Sequence, residues 1–276
     1  MTRRLDMHMH TVASDGSLYA YEMAEACADE GLGAACVADH DSTASIPEFR
    51  EVLARHGIAT ANAIELTSSF EGKELHILGY GFDDSRMDEV EAFGARCRKA
   101  REDRDGLIIH LLSQKYPEVD ETAYAAFSYD RHLRGGNRAA QYLYTTGIAS
   151  RHSEYVLLKK PLGVDDSFFP SSEETVAFLR SVGALTVLAH PSYYFRGSVM
   201  DRERLDTFIG YGIQGIECLS PYNPEREQYE YYRDICRARG LAVSAGSDSH
   251  GPVMSRRIGV PYADDTLCDI LERLEI

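Results

Sequence analysis

The chain has 276 residues, 44% of them hydrophobic, and a formal net charge of −15. This length and composition suit one folded domain with a large core and room for an insertion, and no apolar run of about 18 residues predicts a membrane-spanning helix. The acidic balance excludes stable binding to duplex nucleic acid, because such binding needs a basic face.

The N-terminus and the cysteines both predict a cytoplasmic protein. Met1 to Arg4 are followed directly by a mixed segment that contains Asp6, which is unlike a secretory leader. The cysteines at positions 27, 36, 97, 218, 236 and 268 form no C-x-x-C pair and no cluster typical of disulfides. We therefore expect reduced thiols without catalytic or metal-binding roles.

The first segment with metal-ligand character is His8-Met9-His10. In an extended strand, residues i and i+2 point to the same side, so the two imidazoles can reach one point. The polar residues 14–17 then predict a turn that brings the carboxylate of Asp15 toward the same pocket. Histidine and carboxylate ligands together suit zinc, iron or manganese.

Five later apolar strands each end in, or contain, a side chain that can bind a metal. They are residues 33–38 before Asp39, His40 and Asp41; 59–64 before Glu65; 74–80 around His76; 184–189 before His190; and 241–246 before Asp248 and His250. Strand ends carry the chemistry of parallel barrels, and buried charges are unfavourable unless they are paired or metal-bound. The pattern therefore predicts that these side chains meet in one site.

Glycines close the predicted helices on either side of these strands. The helices are expected from Leu18 to Gly31, from Ile46 to Gly57, from Ser171 to Gly183 and from Glu225 to Gly240. Their alternation with strands is typical of an α/β fold.

The middle of the chain has a different pattern. No strand is predicted between residues 85 and 180, while residues 87–114, 121–127 and 138–146 have helical periodicity. We predict that residues 1–84 and 172–276 form the catalytic domain and that residues 85–171 form a helical insertion, or cap, over its site.

The blocks that carry the ligand-type side chains resemble the polymerase and histidinol phosphatase (PHP) superfamily, above all its stand-alone TrpH-like phosphoesterases. The blocks are residues 8–16, 38–42, 64–65, 75–80, 188–191 and 246–251, and they occur in family order. The resemblance implies an α/β fold, a distorted (β/α)7 barrel with a helical insertion domain. It also implies a trinuclear metal centre that hydrolyses phosphate esters with a metal-bridging hydroxide.

The resemblance assigns nine metal ligands in this chain. His8, His10 and Asp248 would hold a first divalent ion with Glu65 as a bridge; Asp15, His40 and His250 would hold a second; Glu65, His76 and His190 would hold a third. The implied catalytic residues are Asp248, His250, Glu65 and Asp41. Asp41 either orients His40 or caps the end of its strand. Manganese, iron and zinc all tolerate these ligands.

The cap is the expected place of substrate selection. Arg134 and Arg138 are predicted to clamp a second phosphate, because guanidinium groups match phosphate oxygens in pairs; a solvated loop that balances nearby acidic helices is the alternative. Tyr193 follows His190 closely and is predicted to stack on a base. Where relatives commonly have an Arg-Pro-His element, this chain has Gly135-Gly136-Asn137.

The predicted reaction is hydrolysis of a phosphate ester of a small nucleotide. The resemblance favours the 3′-phosphate of a nucleoside 3′,5′-bisphosphate, or 5′-end trimming of a short RNA, so the expected partner is a small nucleotide or short oligonucleotide and not a membrane. Three alternatives stay open. They are a histidinol-phosphate phosphatase, which would gain little from Arg134 and Arg138; an amidohydrolase, which usually has a lysine as the metal bridge; and a non-catalytic module of a polymerase.

Overall fold

The computed structural model describes residues 2–195 and 197–276, which contain seven β-strands. They are β1 (Leu5–Asp6), β2 (Ala34–Ala35), β3 (Ala63–Phe70), β4 (Lys73–Tyr80), β5 (Leu185–Leu188), β6 (Gly215–Leu219) and β7 (Ala242–Ala245). β1 and β2 pair in parallel, and the other five strands form a second sheet in the order β3-β4-β5-β6-β7. With helices around these sheets, the fold is mixed α/β.

Single backbone contacts link the two sheets. Met9 pairs with Ser249 and His40 pairs with Glu65 as isolated parallel bridges. The Met7 amide also donates to the carbonyl of Ala245 over 3.1 Å. The assigned strands do not form a closed sheet, so the barrel predicted from the sequence is not confirmed.

β3 and β4 form an antiparallel hairpin, and β4 is also antiparallel to β5. The two residues at the tip, Glu71 and Gly72, have φ of 51° and 71°, as in the left-handed turns that suit the twist of hairpins. The predicted strand at residues 59–64 was placed too early. Because β3 begins at Ala63 and continues to the hairpin turn, Glu65 lies inside the strand and not after its end.

Eleven α-helices lie within the described residues. They are α1 (Ala20–Asp29), α2 (Ile46–His56), α3 (Met87–Ser113), α4 (Glu121–Ala126), α5 (Arg131–Arg134), α6 (Arg138–Thr146), α7 (His152–Lys159), α8 (Ser172–Ser181), α9 (Arg202–Tyr211), α10 (Arg226–Arg239) and α11 (Ile270–Leu274). In the described part of the chain, no helix combines the length and the apolar character needed to cross a bilayer.

Local capping explains several helix ends. Gly57 and Gly240 end α2 and α10 in the left-handed conformation, with φ of 67° and 68°. Ser171 accepts a hydrogen bond from the amide of Glu174 at the start of α8, and Asn137 accepts from Ala139 and Ala140 at the start of α6. These ends agree closely with the bounds predicted from the sequence.

Helix α3 belongs to two hydrophobic clusters. Val90 and Phe93, in its first half, pack into the large cluster formed by the seven strands and their flanking helices. Ile108 and Leu112, in its second half, pack into a smaller cluster with α4, α6 and α7. All six cysteines are free, in agreement with the reduced thiols expected from the sequence, and all six are buried.

Candidate metal centre

Glu65 lies at the centre of five imidazoles. Its side chain is fully buried. One carboxylate oxygen, Oε2, lies 3.2 Å from His8 Nε2, 3.4 Å from His10 Nε2 and 2.9 Å from His40 Nδ1. The other, Oε1, lies 2.9 Å from His190 Nε2 and 3.3 Å from His76 Nδ1. The carboxylate thus has one oxygen for each of two groups of imidazoles.

Asp15 lies with the imidazoles of His250, His40 and His10. Its Oδ1 is 3.1 Å from His250 Nε2 and 3.9 Å from His10 Nδ1, and its Oδ2 is 3.9 Å from His40 Nε2. Asp15 is on a loop, and its side chain is 27% exposed, more than any other predicted ligand. The prediction that the turn at residues 14–17 directs Asp15 into the site agrees with this placement.

Asp248 faces the histidines with one oxygen and an arginine with the other. Its Oδ1 is 3.0 Å from His10 Nε2 and 3.8 Å from His8 Nε2. Its Oδ2 accepts a hydrogen bond of 2.8 Å from the Tyr222 hydroxyl and another from the Arg256 guanidinium. This arrangement fixes the carboxylate with Oδ1 toward His8 and His10.

The ligand atoms converge in a way that fits metal ions. The structure brings together three groups of side chains whose candidate ligand atoms lie within 4.8 Å of one another: His10, Asp15, His40 and His250; His8, His10 and Glu65; and His40, Glu65 and His76. Nδ1 of His10, His40, His76 and His190 and Oε2 of Glu65 are buried, and although some of these atoms are close to one another, none has a neighbour in hydrogen-bond geometry. Such orphaned atoms are rare unless an ion or water completes them, so these residues fit divalent cations.

The electrostatics of the site keep its carboxylates charged. Burial alone would raise the pKa of the Asp15, Glu65 and Asp248 carboxyls, but neighbouring histidines and Arg256 outweigh it and hold each pKa well below the ordinary value. Burial, together with repulsion from His250 and His40, lowers the pKa of His10 to about 3. At His8, His76 and His250 the neighbouring carboxylates outweigh burial and raise the pKa, that of His76 to about 10, so a cation would have to displace a proton from these imidazoles.

Two aspartates flanking His40 have separate structural roles. Asp39 accepts hydrogen bonds from the Thr11 amide at 2.7 Å and the Ser14 hydroxyl at 2.5 Å, so it holds the loop that carries Asp15. Asp41 accepts from the amide and hydroxyl of Thr67 at 2.7 and 2.8 Å. These bonds agree with the cap at a strand end that was one of the two hypotheses for Asp41, since none of them reaches the His40 ring.

Glu217 is a candidate site residue that the sequence analysis missed. It lies on β6, is fully buried, and accepts from His8 Nδ1 at 2.9 Å and from the His190 backbone amide at 2.8 Å. A carboxylate behind a metal-ligating imidazole fixes its tautomer and orientation. The one indication in the sequence was a single acidic residue inside the apolar run 215–219. The same acidic residue made this run look unlike a buried strand, so the strand was not predicted either.

Glu217→Gln is expected to weaken metal binding about 10- to 100-fold, which is the usual effect of removing such a carboxylate. The NH2 group of the glutamine would face either the His8 ring or the His190 backbone amide. Both of these groups donate a hydrogen bond to Glu217, so neither can accept one from the glutamine. Competition with a metal-binding dye measures the affinity. Glu230→Gln, on the surface of α10 beside Arg226, is the matched control and should bind metal like the wild type. Equal affinities in the two variants would contradict the role of Glu217.

Three site residues have strained backbones. Asp41, His190 and Asp248 are non-glycine residues with φ of 56°, 25° and 48°. Such conformations cost about 1–3 kcal/mol each and persist where surrounding contacts determine them. Gly246 precedes the loop of Asp248, and a Cβ there would overlap the side chains of His8 and Glu217, so only glycine fits.

The centre opens into a cavity of about 1060 Å³. Its walls include most of the predicted ligands, the missed residues Tyr222 and Arg256, and cationic side chains of the cap. The cationic residues from the cap and α3 are Arg98, Arg101, Arg104, Arg131, Arg134, Arg138, Arg151 and Lys159. These cations outnumber the six carboxylates of the same walls, so the cavity is less acidic than the protein as a whole and suits an anionic ligand. The carboxylates are those of Asp15, Asp41, Glu74, Glu102, Asp105 and Asp248.

The predicted substrate-binding residues all line this cavity, with different surroundings. Arg134 is exposed. Arg138 is held by the cap, because its guanidinium donates to the carbonyls of Phe127 at 3.0 Å and Tyr124 at 2.6 Å. The Tyr193 ring is 48% exposed and packs edge-on against Tyr222 at 4.8 Å between centroids. Arg134 and Tyr193 are thus free to contact a ligand, whereas the hydrogen bonds of Arg138 to the cap largely fix its guanidinium.

Comparisons with known proteins agree with this site. A family model described as the PHP domain matches residues 6–221. A 3′,5′-nucleoside bisphosphate phosphatase of Chromobacterium violaceum is 27% identical over 260 residues, covering 90% of this chain and 87% of the relative. A 5′-3′ exoribonuclease of Haemophilus influenzae is also 27% identical, over 263 residues, with 91% and 92% covered.

A solved structure from Bifidobacterium adolescentis has a similar fold. It is described as a candidate metal-dependent phosphoesterase and superposes with a TM-score of 0.75 at 27% identity. The superposition covers 95% of this chain and 93% of the other. The likeness extends beyond the segment that the family model matches and includes nearly the whole chain.

Proposed function

The chain belongs to the PHP domain family, and we propose that it removes a phosphate from a small nucleotide such as a nucleoside 3′,5′-bisphosphate. It is a metal-dependent hydrolase of phosphoric esters. The observation that carries the proposal is the convergence of imidazole and carboxylate atoms, several of them buried without partners, at the floor of a cavity with arginines in its walls. The second candidate substrate is short RNA trimmed from its 5′ end, and the similarity to a 5′-3′ exoribonuclease supports it.

We propose three divalent ions, of manganese, iron or zinc. His8, His10 and Asp248 would hold one together with Glu65; Asp15, His40 and His250 another; Glu65, His76 and His190 the third. The two oxygens of Glu65, which face separate groups of imidazoles, support its role as the shared ligand. The placement of Asp15 beside His250 and His40 supports the second set.

Bound divalent ions would supply two effects, a lower pKa for a water nucleophile and neutralisation of phosphoryl oxygens. Other residues of the protein orient the predicted metal ligands. Arg256 and Tyr222 hold Asp248, Glu217 holds His8, and Asp39 holds the loop of Asp15. Arg256 also lines the cavity, so its guanidinium is a further candidate to donate a hydrogen bond to a phosphate oxygen.

The cap supplies the proposed contacts to the rest of the nucleotide. Arg134 is exposed on the cavity wall and is the first candidate for the second phosphate, with Arg138 behind it. The half-exposed ring of Tyr193 is a candidate platform for the base. A substrate with two phosphates and a base would use all of these groups, whereas histidinol phosphate would use only some of them.

Arg134→Ala is expected to raise KM for adenosine 3′,5′-bisphosphate about 10-fold, since a charged hydrogen bond contributes about 1.5–3 kcal/mol and this one is partly screened by solvent. KM for a simple aryl phosphate should stay the same, because it has no second phosphate. Steady-state kinetics with both substrates measure the difference. Arg96→Ala, on the outer face of α3 beside Glu174, is the control. Equal changes in KM for the two substrates would contradict the clamp.

Phosphate release from adenosine 3′,5′-bisphosphate by protein reconstituted with manganese tests the proposed function. AMP and histidinol phosphate serve as parallel substrates for phosphate release. A short 5′-phosphorylated RNA is assayed for release of mononucleotides, because hydrolysis of its diester bonds liberates no inorganic phosphate. Selective release from the bisphosphate, with AMP left intact, is the expected result. Release from histidinol phosphate alone would favour the histidinol-phosphate alternative. No release from any of them by metal-loaded protein would contradict the proposal and favour the carbon-centred or non-catalytic alternatives.

We also propose that the seven strands form the distorted barrel expected of the family. The contacts that support this are the bridges Met9–Ser249 and His40–Glu65 and the bond from Met7 to Ala245, which join the two sheets on both sides. The separate hydrophobic cluster of residues 108–164 supports the proposed cap of residues 85–171 over that part of the segment, whereas Val90, Phe93 and Cys97 pack with the strands. The free cysteines suit the proposed cytoplasmic location.

A further inference from the structure

The cap contacts the metal centre through the loop that carries Asp15. We call residues 131–136 of the cap the docking segment and residues 11–17 the Asp15 loop. The backbone amide of Gly136 donates to the carbonyl oxygen of Asp15 itself over 2.6 Å. A backbone of the cap thus holds the backbone of a predicted metal ligand directly.

Two further contacts hold the Asp15 loop on either side of that bond. The His132 ring lies 2.8 Å, through Nδ1, from the carbonyl oxygen of Ser17. The guanidinium of Arg131 donates to the carbonyl of Val12 over 3.3 Å. The docking segment therefore spans most of the loop, and each contact uses a carbonyl that side-chain substitutions in the loop would not remove.

Glycine at position 135 allows this close approach. Its φ of 58° and ψ of −167° lie in a region that essentially only glycine adopts. A Cβ at this position would lie 2.7 Å from Cγ2 of Val253 and 3.0 Å from the carbonyl oxygen of Asp15. Any other residue would push the docking segment away from the loop.

The docking segment is equally well fixed to the cap. Gln141 Nε2 donates to the carbonyl of Gly135 over 3.1 Å, and the Tyr129 hydroxyl donates to the carbonyl of Gly136. Asn137, the next residue, caps helix α6 and donates to Asp105 on α3 over 3.2 Å. Displacement of the cap would therefore be transmitted to Asp15.

We propose that the docking segment is a positioning element of the metal centre, which couples the seating of the cap to metal binding by Asp15, His40 and His250. The proposal rests on the proposed function in that it needs these three residues to hold an ion. Asp15 is the ligand that needs such help, because it is on a loop and is the most exposed of the set. Since coupling between two sites is reciprocal, bound metal also stabilises the docked cap.

The substitution Gly135→Ala tests this coupling, and a second glycine-to-alanine substitution in the cap controls for effects unrelated to the contact with the Asp15 loop. Gly147→Ala is the matched control, because Gly147 also lies in the cap, has φ of 77° and has nothing within 4 Å of an added Cβ. Metal equivalents per chain are measured after dialysis against limiting manganese. Hydrogen exchange of residues 11–17 and 131–136 is followed in metal-free and manganese-loaded protein.

We expect Gly135→Ala to bind one metal equivalent at least 10-fold more weakly and to exchange faster in residues 11–17, while Gly147→Ala behaves like the wild type. In the wild type, manganese should slow exchange in residues 131–136. His132→Ala, which removes the contact to Ser17 without a backbone clash, should show the same effects more weakly and serves if Gly135→Ala does not fold.

The outcomes separate the two proposals. Equal metal content and equal exchange in Gly135→Ala and Gly147→Ala would overturn the coupling and leave the proposed function intact. Unchanged exchange in residues 131–136 of the wild type on metal loading would also overturn it. A wild-type chain that binds no manganese, zinc or iron would contradict both proposals together.

Discussion

Glu65→Gln is expected to lower kcat for phosphate release by about 10³-fold or more, equivalent to roughly 4 kcal/mol of transition-state stabilisation. The substitution keeps the volume of the side chain but removes the charge that lies among five imidazoles. It also places an N–H group where an oxygen lone pair is needed for a metal. Because Glu65 faces two groups of imidazoles, metal content should fall by more than one equivalent per chain.

The measurement combines kcat with elemental analysis of the purified variant. Glu51→Gln is the control, because Glu51 is exposed on α2 and pairs with Arg55 away from the centre and its cavity. The control should keep wild-type metal content and kcat. If Glu65→Gln retained full metal content and turnover while folded, Glu65 would not be the shared ligand and the assignment of three ions would be wrong.

Removal of metal is expected to abolish turnover and to lower Tm by roughly 10 °C. The Nε2 atoms of His8 and His10 lie 3.1 Å apart and close to buried carboxylates, whose charge bound cations would offset. A site saturated at 1,000 times its Kd contributes about 4 kcal/mol of stability, and about 1 kcal/mol moves Tm by roughly 2–4 °C in a domain of this size. Chelation followed by thermal unfolding measures the change.

Reconstitution with manganese, zinc or iron should restore both Tm and turnover. The Glu65→Gln variant provides the internal control, because it has less metal to lose, so its Tm should fall less on chelation. A wild-type Tm that is unchanged by a chelator, in protein shown to have lost its metal, would mean that the ions add no stability. The buried ligand cluster would then be held together by protons and hydrogen bonds alone.

Short-range signals explain what the sequence could predict. Helix ends at Gly57 and Gly240 follow from the left-handed conformation that glycine adopts easily. The convergence of His8 and His10 follows from alternation along an extended segment, although β1 itself ends at Asp6 and only Met9, between them, forms a bridge. Each of these features depends on residues that are close together in the chain, so the local sequence is enough to predict it.

Long-range contacts explain what the sequence could not predict. Glu217 contacts His8, which is 209 positions away, and the backbone amide of His190, and these two contacts offset the cost of its burial. Strand β6 was missed for the same reason, because a charge inside an apolar run normally indicates exposure. Asp39 and Asp41 look equivalent in sequence, yet one bonds to Thr11 and the other to Thr67. Which partner each would find depends on the folded arrangement.

The membership of α3 in two hydrophobic clusters determines where chimeric enzymes can be joined. A cap taken from a relative cannot replace residues 85–171 as a block, because Val90 and Phe93 would leave the large cluster with it. The junction belongs inside α3, after Cys97 and before Ile108, with the helical phase of 3.6 residues per turn preserved. A graft joined there would exchange the substrate-facing wall while keeping the helix turns that pack against the strands.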